Sequence, residues 1–393
     1  MDSSTEGSEP AAGSDAAAAA AADELASMSL GGGSEPAPAN VEDDMFCSNC
    51  GETDDLKGCN SCRCIRYCSA KCQKKHWKAH KKECKRIEAV LKKGIPGGGK
   101  YYLDFSKQVD GEESGLFDEP PKNPDCDICM VRLPMEQSLW LYWSCCGKSV
   151  CCACDVDNEN AIAKQNEKKA ERKQKLLERR RCPFCRTPEP EDAEECISRL
   201  KKKDGLGDAR ATWLLATFHK DGAHGAARDE TKALQLYGKA ADLGDIDARA
   251  TLGFIYQDGL FGAEVDLKKA IMHLELAAKG GHVLARDTLG VIAVEKVVEE
   301  TLSKIRRDPK NRLACLNAIL HWRISAAAGY TPSVIFLVGN FEMGLIRHKD
   351  LASSLQARDK ARLEMKSESR DRYIKHLKRT GELEERGIDD IYA

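Results

Sequence analysis

The sequence has 393 residues, with 61 Lys+Arg against 63 Asp+Glu and 19 cysteines. That length suits two or three domains, and the even charge gives no global pull toward nucleic acid or an anionic membrane. No run of about 18 apolar residues occurs to span a bilayer. The acidic, alanine-rich N-terminus lacks the basic-then-apolar order of a signal peptide.

Residues 1–45 are Ala, Ser, Gly, Pro and acids, a composition that buries too little apolar surface to offset ordering entropy and reads as a disordered tail. From Cys47 onward the cysteines crowd together, and only Cys196 and Cys315 lie beyond Cys185. Many form C-x-x-C pairs, the pattern of metal binding in a reducing compartment, cytosol or nucleus, rather than of a disulfide-bonded secreted chain.

The stretch 46–86 orders its donors as Cys47-x-x-Cys50, Cys59-x-x-Cys62, Cys68-x-x-x-Cys72 and His80-x-x-x-Cys84. Eight paired donors suffice for two closed tetrahedral Zn²⁺ sites. With Tyr67-Cys-Ser, the glutamine after Cys72 and Trp77 before His80, the stretch closely resembles the MYND zinc-finger family. The family's interleaved ligation implies one zinc on Cys47, Cys50, Cys68 and Cys72, and another on Cys59, Cys62, His80 and Cys84. Cys64 is then surplus, and His76 is expected at the surface. The resemblance implies binding of proline-containing peptides. Relatives that methylate lysine embed this finger in a SET domain, and no SET-type motif is visible downstream. The basic segment Lys71–Lys93 has no accompanying RNA- or DNA-reading motif, so it reads as a solvated helical face.

Residues 87–124, with the joint Gly94-Ile-Pro-Gly-Gly-Gly and a closing cluster of Pro120, Pro121 and Pro124, read as a flexible linker. The stretch 125–188 then brings Cys126-x-x-Cys129, Cys145-Cys146-Gly-Lys148, Cys151-x-x-Cys154 and Cys182-Pro-Phe-Cys185. This layout resembles a RING finger. By analogy one zinc takes Cys126, Cys129, Cys151 and Cys154. The other takes a central pair with Cys182 and Cys185. RING fingers usually place cysteine, glycine, histidine at that centre, whereas here Lys148 stands in the histidine position and ammonium is a poor zinc donor. Cys145 and Cys146 are the proposed central ligands, and Cys152 is the competing donor. RING fingers bind a ubiquitin-conjugating enzyme and orient its ubiquitin, a positioning effect. The resemblance assigns the docking contacts to Ile128 and Pro183, and the bridging guanidinium to Arg186. Taken singly, each also fits local packing or a solvated charge.

Between the ligand pairs, Ala161–Arg181 holds no Gly or Pro and is rich in Ala, Lys, Glu, Gln and Leu, so it is expected to be an exposed helix. Farther on the chain repeats itself: Ala209-Arg-Ala-Thr-Trp-Leu returns as Ala248-Arg-Ala-Thr-Leu-Gly and Ala285-Arg-Asp-Thr-Leu-Gly. Gly244 and Gly281 lie 37 residues apart and Gly281 and Gly329 lie 48 apart, which places an insertion near 295–311. The region 205–349 resembles SEL-1-like repeats, helix pairs that must stack to bury their apolar faces. Its histidines (His219, His273, His282, His321) are expected to pack or face solvent rather than ligate. Residues 350–393 read as a charged helical tail that begins as a cap on the array.

The fold expected is therefore mostly α, with two small cross-braced zinc modules followed by an α-solenoid and about four structural Zn²⁺ ions. The function expected is a RING-type ubiquitin ligase that recruits a conjugating enzyme through 125–188 and substrates through the finger and the repeats. A non-enzymatic scaffold that mediates protein–protein contacts is the alternative, motivated by Lys148. A transcriptional co-regulator is a weaker third.

Overall fold

The computed structural model describes residues 45–105, 115–135, 137–171, 180–295, 297 and 308–382. The tail 1–44, most of the repeat insertion and the last eleven residues lie outside that set. The protein is mostly helical, with cysteine-cluster modules followed by a Sel1-like helical array.

In the first module a short hairpin pairs β1 (Lys57–Gly58) with β2 (Arg66–Tyr67), Lys57 opposite Tyr67. Helix α1 (Ala70–Lys93) follows. Ser69 caps it by accepting the Cys72 amide, and Gly94 ends it. Its inner face carries His80, Cys84 and Ile87, three to four residues apart as one buried helical stripe requires. The second module has β3 (Trp140–Trp143) antiparallel to β4 (Lys148–Cys151), in register Trp140 to Cys151. Helix α2 (Cys152–Glu171) leaves β4 directly. It therefore begins nine residues earlier than its composition suggests, with the candidate ligand Cys154 in its first turn. Residues 172–179 lie outside the described residues.

After α3 (Ala193–Gly205) come the helix pairs: α4 (Ala209–Asp221) with α5 (Glu230–Asp242), α6 (Ile246–Asp258) with α7 (Leu267–Lys279), α8 (Val283–Glu295) with α9 (Pro309–Ala327), and α10 (Pro332–Glu342) with α11 (His348–Glu364). Asp208, Asp229, Asp245 and Asp266 each cap the following helix by accepting an amide three residues on. His282 does the same for α8 through Nδ1, accepting from Ala285 at 3.0 Å. Small residues where helices cross bring the backbones close. Ala233, Ala240, Ala248, Ala277, Ala285, Ala318 and Ala326 are all fully buried. Three histidines of the array pack as well: His219 bonds the Ala227 carbonyl, His273 stacks on Tyr256, and His321 lies buried against Phe117.

The modules are not strung loosely before the array. One buried cluster joins Cys59, Cys62, Cys64, Ile65, Tyr67, Cys84 and Ile87 of the first module to Trp322, Val334, Leu337, Phe341, Leu351 and Leu355 of the last two pairs. Arg86 forms a two-pronged pair with Glu342, at 2.8 and 2.6 Å. The second module touches both ends of the array. At the first pair, Tyr142 donates to Asp208 at 2.5 Å, and the Arg210 guanidinium lies between the rings of Trp140 and Trp213. At the far end it meets α12 (Glu368–Thr380). Arg370, almost fully buried, donates to the carbonyls of Val131 and Arg132, and Asp157 accepts from Ser369 and Arg372. The charged C-terminal region is thus structural up to residue 380 rather than a tail.

The stretch read as a linker also differs from expectation. Helix α1 extends into it as far as Lys93, and Leu103 and Leu116 are buried. The Leu103 amide donates to the Leu345 carbonyl at 2.8 Å. Arg286 donates to the Leu116 carbonyl at 2.7 Å. The carbonyl of Pro121 lies against Gly281, where an added Cβ would sit 2.2 Å from that oxygen and φ is +97°. We expect Gly281→Ala to lower unfolding free energy by about 2–4 kcal/mol through backbone clash and left-handed strain. Gly238, inside α5 with open space around it, provides the contrast: Gly238→Ala should stabilise by about 0.5–1 kcal/mol. Urea unfolding of the two variants checks both signs.

Candidate metal centres

Five of the eight candidate ligand pairs are held by a turn that aims two donors inward, and the pairs Cys68–Cys72, His80–Cys84 and Cys151–Cys154 take donors from helices α1 and α2. In the loops opened by Cys47, Cys59, Cys126 and Cys182 the amide four residues on donates back to the first cysteine's carbonyl, at 2.8–3.1 Å. The residue that makes this bond, Gly51, Arg63, Met130 or Arg186, has positive φ. The central turn of the second module uses the same device with Trp143 in place of the first cysteine. Gly147, with φ +78°, donates to the Trp143 carbonyl at 2.8 Å, and this lets neighbours Cys145 and Cys146 both point inward.

The described residues gather into four tetrads: Cys47, Cys50, Cys68, Cys72; Cys59, Cys62, His80, Cys84; Cys126, Cys129, Cys151, Cys154; and Cys145, Cys146, Cys182, Cys185. Within each, all four donor atoms lie within 4.8 Å of one another. In both modules the two tetrads alternate along the chain, so each pair of sites cross-braces its loops. Observed separations include Cys50–Cys68 at 3.6 Å, Cys59–Cys84 at 3.7 Å, Cys146–Cys182 at 3.6 Å and Cys145–Cys185 at 3.4 Å. A tetrahedron with zinc–sulfur bonds of about 2.3 Å has edges of about 3.8 Å, whereas a disulfide would need about 2.05 Å. The donor sets fit Zn²⁺: thiolates and one imidazole, four to a site. Four complete shells match about four structural zinc ions and leave no coordination position for a substrate or a water.

Neighbouring groups complete the donors. Asn49 Nδ2 donates toward Cys72 Sγ at 3.3 Å, and the Cys151 amide toward Cys126 Sγ at 3.3 Å, which suits sulfur bearing thiolate charge. His80 is fully buried. Its Nε2 lies 3.3 Å from Cys62 Sγ, and its Nδ1 faces the Glu83 carboxylate at 3.9 Å. Burial works against charge on Glu83, but Arg358 beside it outweighs burial and holds the carboxyl below its usual pKa. Arg358 Nη1 donates to Glu83 at 2.8 Å, and its guanidinium also pairs with Asp359 at 2.9 Å. A metal ligand of the first module is thereby continued into α11 by one buried chain of charge.

The remaining thiols near the sites have other partners. Cys64 Sγ lies 3.2 Å from His348 Nε2. Cys152 Sγ is directed to the Ser138 carbonyl at 3.5 Å and stands outside the tetrads, which instead include Cys145 and Cys146. His76, read as a surface residue, is half-buried and bonds Tyr67 Oη at 3.0 Å. Lys148 forms a clamp: Nζ lies 2.8 Å from Asp127 Oδ1 and 4.7 Å from the Phe184 ring centroid. It ties together the loops that carry Ile128 and Pro183. Ile128 and Arg186 are exposed, and Pro183 is half-buried. Sequence reasoning passed over Met130, which is 71% exposed with φ +53°. The signal was available: the position after a C-x-x-C pair takes left-handed backbone, where a bulky residue is unusual. Glu83, Arg358 and His348 were also missed, since nothing in a linear reading links residue 83 to residue 358.

Comparison with known proteins agrees on two parts of the chain. A family model described as MYND finger matches residues 47–84, and one described as Sel1 repeat matches 209–245 and 246–282. No family model identifies 125–188 as a RING finger. The chain is 38% identical over 55 residues to histone-lysine N-methyltransferase ASHR1 of Arabidopsis thaliana, covering 14% of this chain and 12% of that protein. It is 56% identical over 34 residues to histone-lysine N-methyltransferase SMYD3 of Homo sapiens, 9% of this chain and 8% of that protein. Egl nine homolog 1 of Homo sapiens matches at 35% over 65 residues, 16% of this chain and 15% of that protein. The chain thus spans less than a sixth of the length of these curated relatives. Among solved structures, a Sel1 repeat protein from Oxalobacter formigenes aligns at TM-score 0.30 and 23% identity, covering 37% of this chain and 53% of that one. The chain carries a MYND finger, further cysteine clusters of zinc-binding type, and Sel1 repeats.

Zinc-loaded protein should contain about four zinc ions per chain by elemental analysis. Cys145→Ser should lower that to about three, whereas Cys152→Ser should leave it unchanged. The reverse result would move the fourth ligand to Cys152.

Proposed function

We propose that this protein is a non-catalytic scaffold in which the zinc modules and the repeat array form one rigid body that presents protein-binding surfaces. The observation that carries this reading is the join between parts. The first module shares a buried cluster with the last repeats, and the second contacts both the first helix pair and α12. Fingers fixed in this way hold bound partners at set positions. The MYND finger would take proline-containing peptides, and the exposed apolar residues along the array, such as Leu243, Leu276, Leu284 and Ile335, would add contact area. Closed four-ligand shells support structural rather than hydrolytic zinc. Thiolate ligands in such numbers fit a reducing compartment, cytosol or nucleus.

The second reading, a RING-type ligase, is favoured by one observation. Ile128 and Met130 are exposed beside the first ligand pair and Arg186 beside the last, while the Lys148 clamp holds both loops where a histidine ligand is absent. Purified zinc-loaded protein, incubated with ubiquitin, activating enzyme and a panel of conjugating enzymes, decides between the two. The scaffold reading expects no ubiquitin chains and unchanged zinc content. Chains that depend on Ile128 and disappear in Ile128→Ala would overturn it in favour of the ligase.

A further inference from the structure

The outer face of α1 is unusual in its charge. Lys71, Lys74, Lys75, Lys78, Lys81, Lys82 and Lys85 are all exposed. Their spacing places them in one stripe, opposite the face that buries His80, Cys84 and Ile87. The stripe extends about 21 Å at 1.5 Å per residue. None of the seven has a carboxylate partner among the described residues. The helix's two acids are engaged elsewhere, Glu83 with Arg358 and Glu88 with Lys92. No acid occupies the first turn, where one would favour the positive helix end. Lysines three and four residues apart repel one another, so a face needed only for solubility would be served better by mixed signs.

Residues 1–44 carry ten acids and no Lys or Arg, and Glu42, Asp43 and Asp44 lead directly into Met45. The chain enters the first module beside the start of the stripe: Cys47 shares a tetrad with Cys72, and Asn49 Nδ2 reaches Cys72 Sγ at 3.3 Å. Lys71 is the next residue back. A 44-residue segment can extend to about 145 Å, several times the length of the stripe, and tethering gives it an effective concentration on the order of millimolar.

We propose that the acidic segment 1–44 is an intramolecular ligand of the Lys71–Lys85 stripe, held by charge and screened by salt. Full-length zinc-loaded protein treated with a zero-length carbodiimide tests this, with the monomer fraction mapped by mass spectrometry. Amide links should join acids of 1–44 to the stripe lysines at low salt and disappear near about 0.5 M salt, where the screening length is only a few ångströms. In parallel, amine acetylation of the stripe should be roughly threefold slower than in a variant with all ten acids changed to their amides, given a millimolar tether. Exposed Lys268 and Lys349 should react equally in both proteins. Equal stripe reactivity in parent and variant, or links found only in dimers, would overturn the proposal.

Discussion

The structure depends on drawing sixteen donor atoms into four clusters, each within 4.8 Å. Fifteen of the donors are cysteine sulfurs, and thiolates packed this closely repel unless a cation lies among them. Zinc supplies that cation, and its binding free energy in small modules is folding free energy. Neither module has an apolar core of its own large enough to stand without it. Half of the second module's buried cluster is its own cysteine donors, and the rest is Leu133, Trp143, Val150 and Ala153.

What zinc organises then continues into the array. His80 joins the Cys59, Cys62 and Cys84 cluster on one side and faces Glu83 on the other, Glu83 accepts from Arg358, and Arg358 belongs to α11. Arg358 and Asp359 are both buried. A buried charge left without its partner costs about 3–5 kcal/mol, so the position of α11 and the integrity of the first module's second site are coupled. Arg370 plays the corresponding part for the second module. It donates to two carbonyls in the turn just beyond Cys129. Both modules are therefore anchored by arginines from the C-terminal helices, some 230 to 280 residues away in sequence.

The grouping of the donors into tetrads was legible because metal geometry imposes short, fixed spacings that survive in a linear reading, and the repeats because stacking imposes a period. Cys145 and Cys146 were harder, since vicinal ligands break the usual pattern, and the turn around Gly147 that accommodates them is visible only in three dimensions. The segment 87–124 misled because its glycines and prolines signal flexibility, while the isolated apolar residues Leu103 and Leu116 that dock it have no periodicity. The C-terminal region misled for the opposite reason. Arg358, Asp359 and Arg370 read as solvent-facing charges, and only the residues they meet explain their burial.

The central claim is that zinc holds modules and array together as one body. Amide hydrogen exchange, measured on the full-length chain before and after zinc is removed by a chelator, tests it most directly. The account predicts that protection is lost in α11 and α12, which contain no metal ligand, together with the modules. Loss confined to residues 45–93 and 125–188, with α11 and α12 as protected as before, would contradict it and leave the fingers as independent beads beside a self-sufficient array.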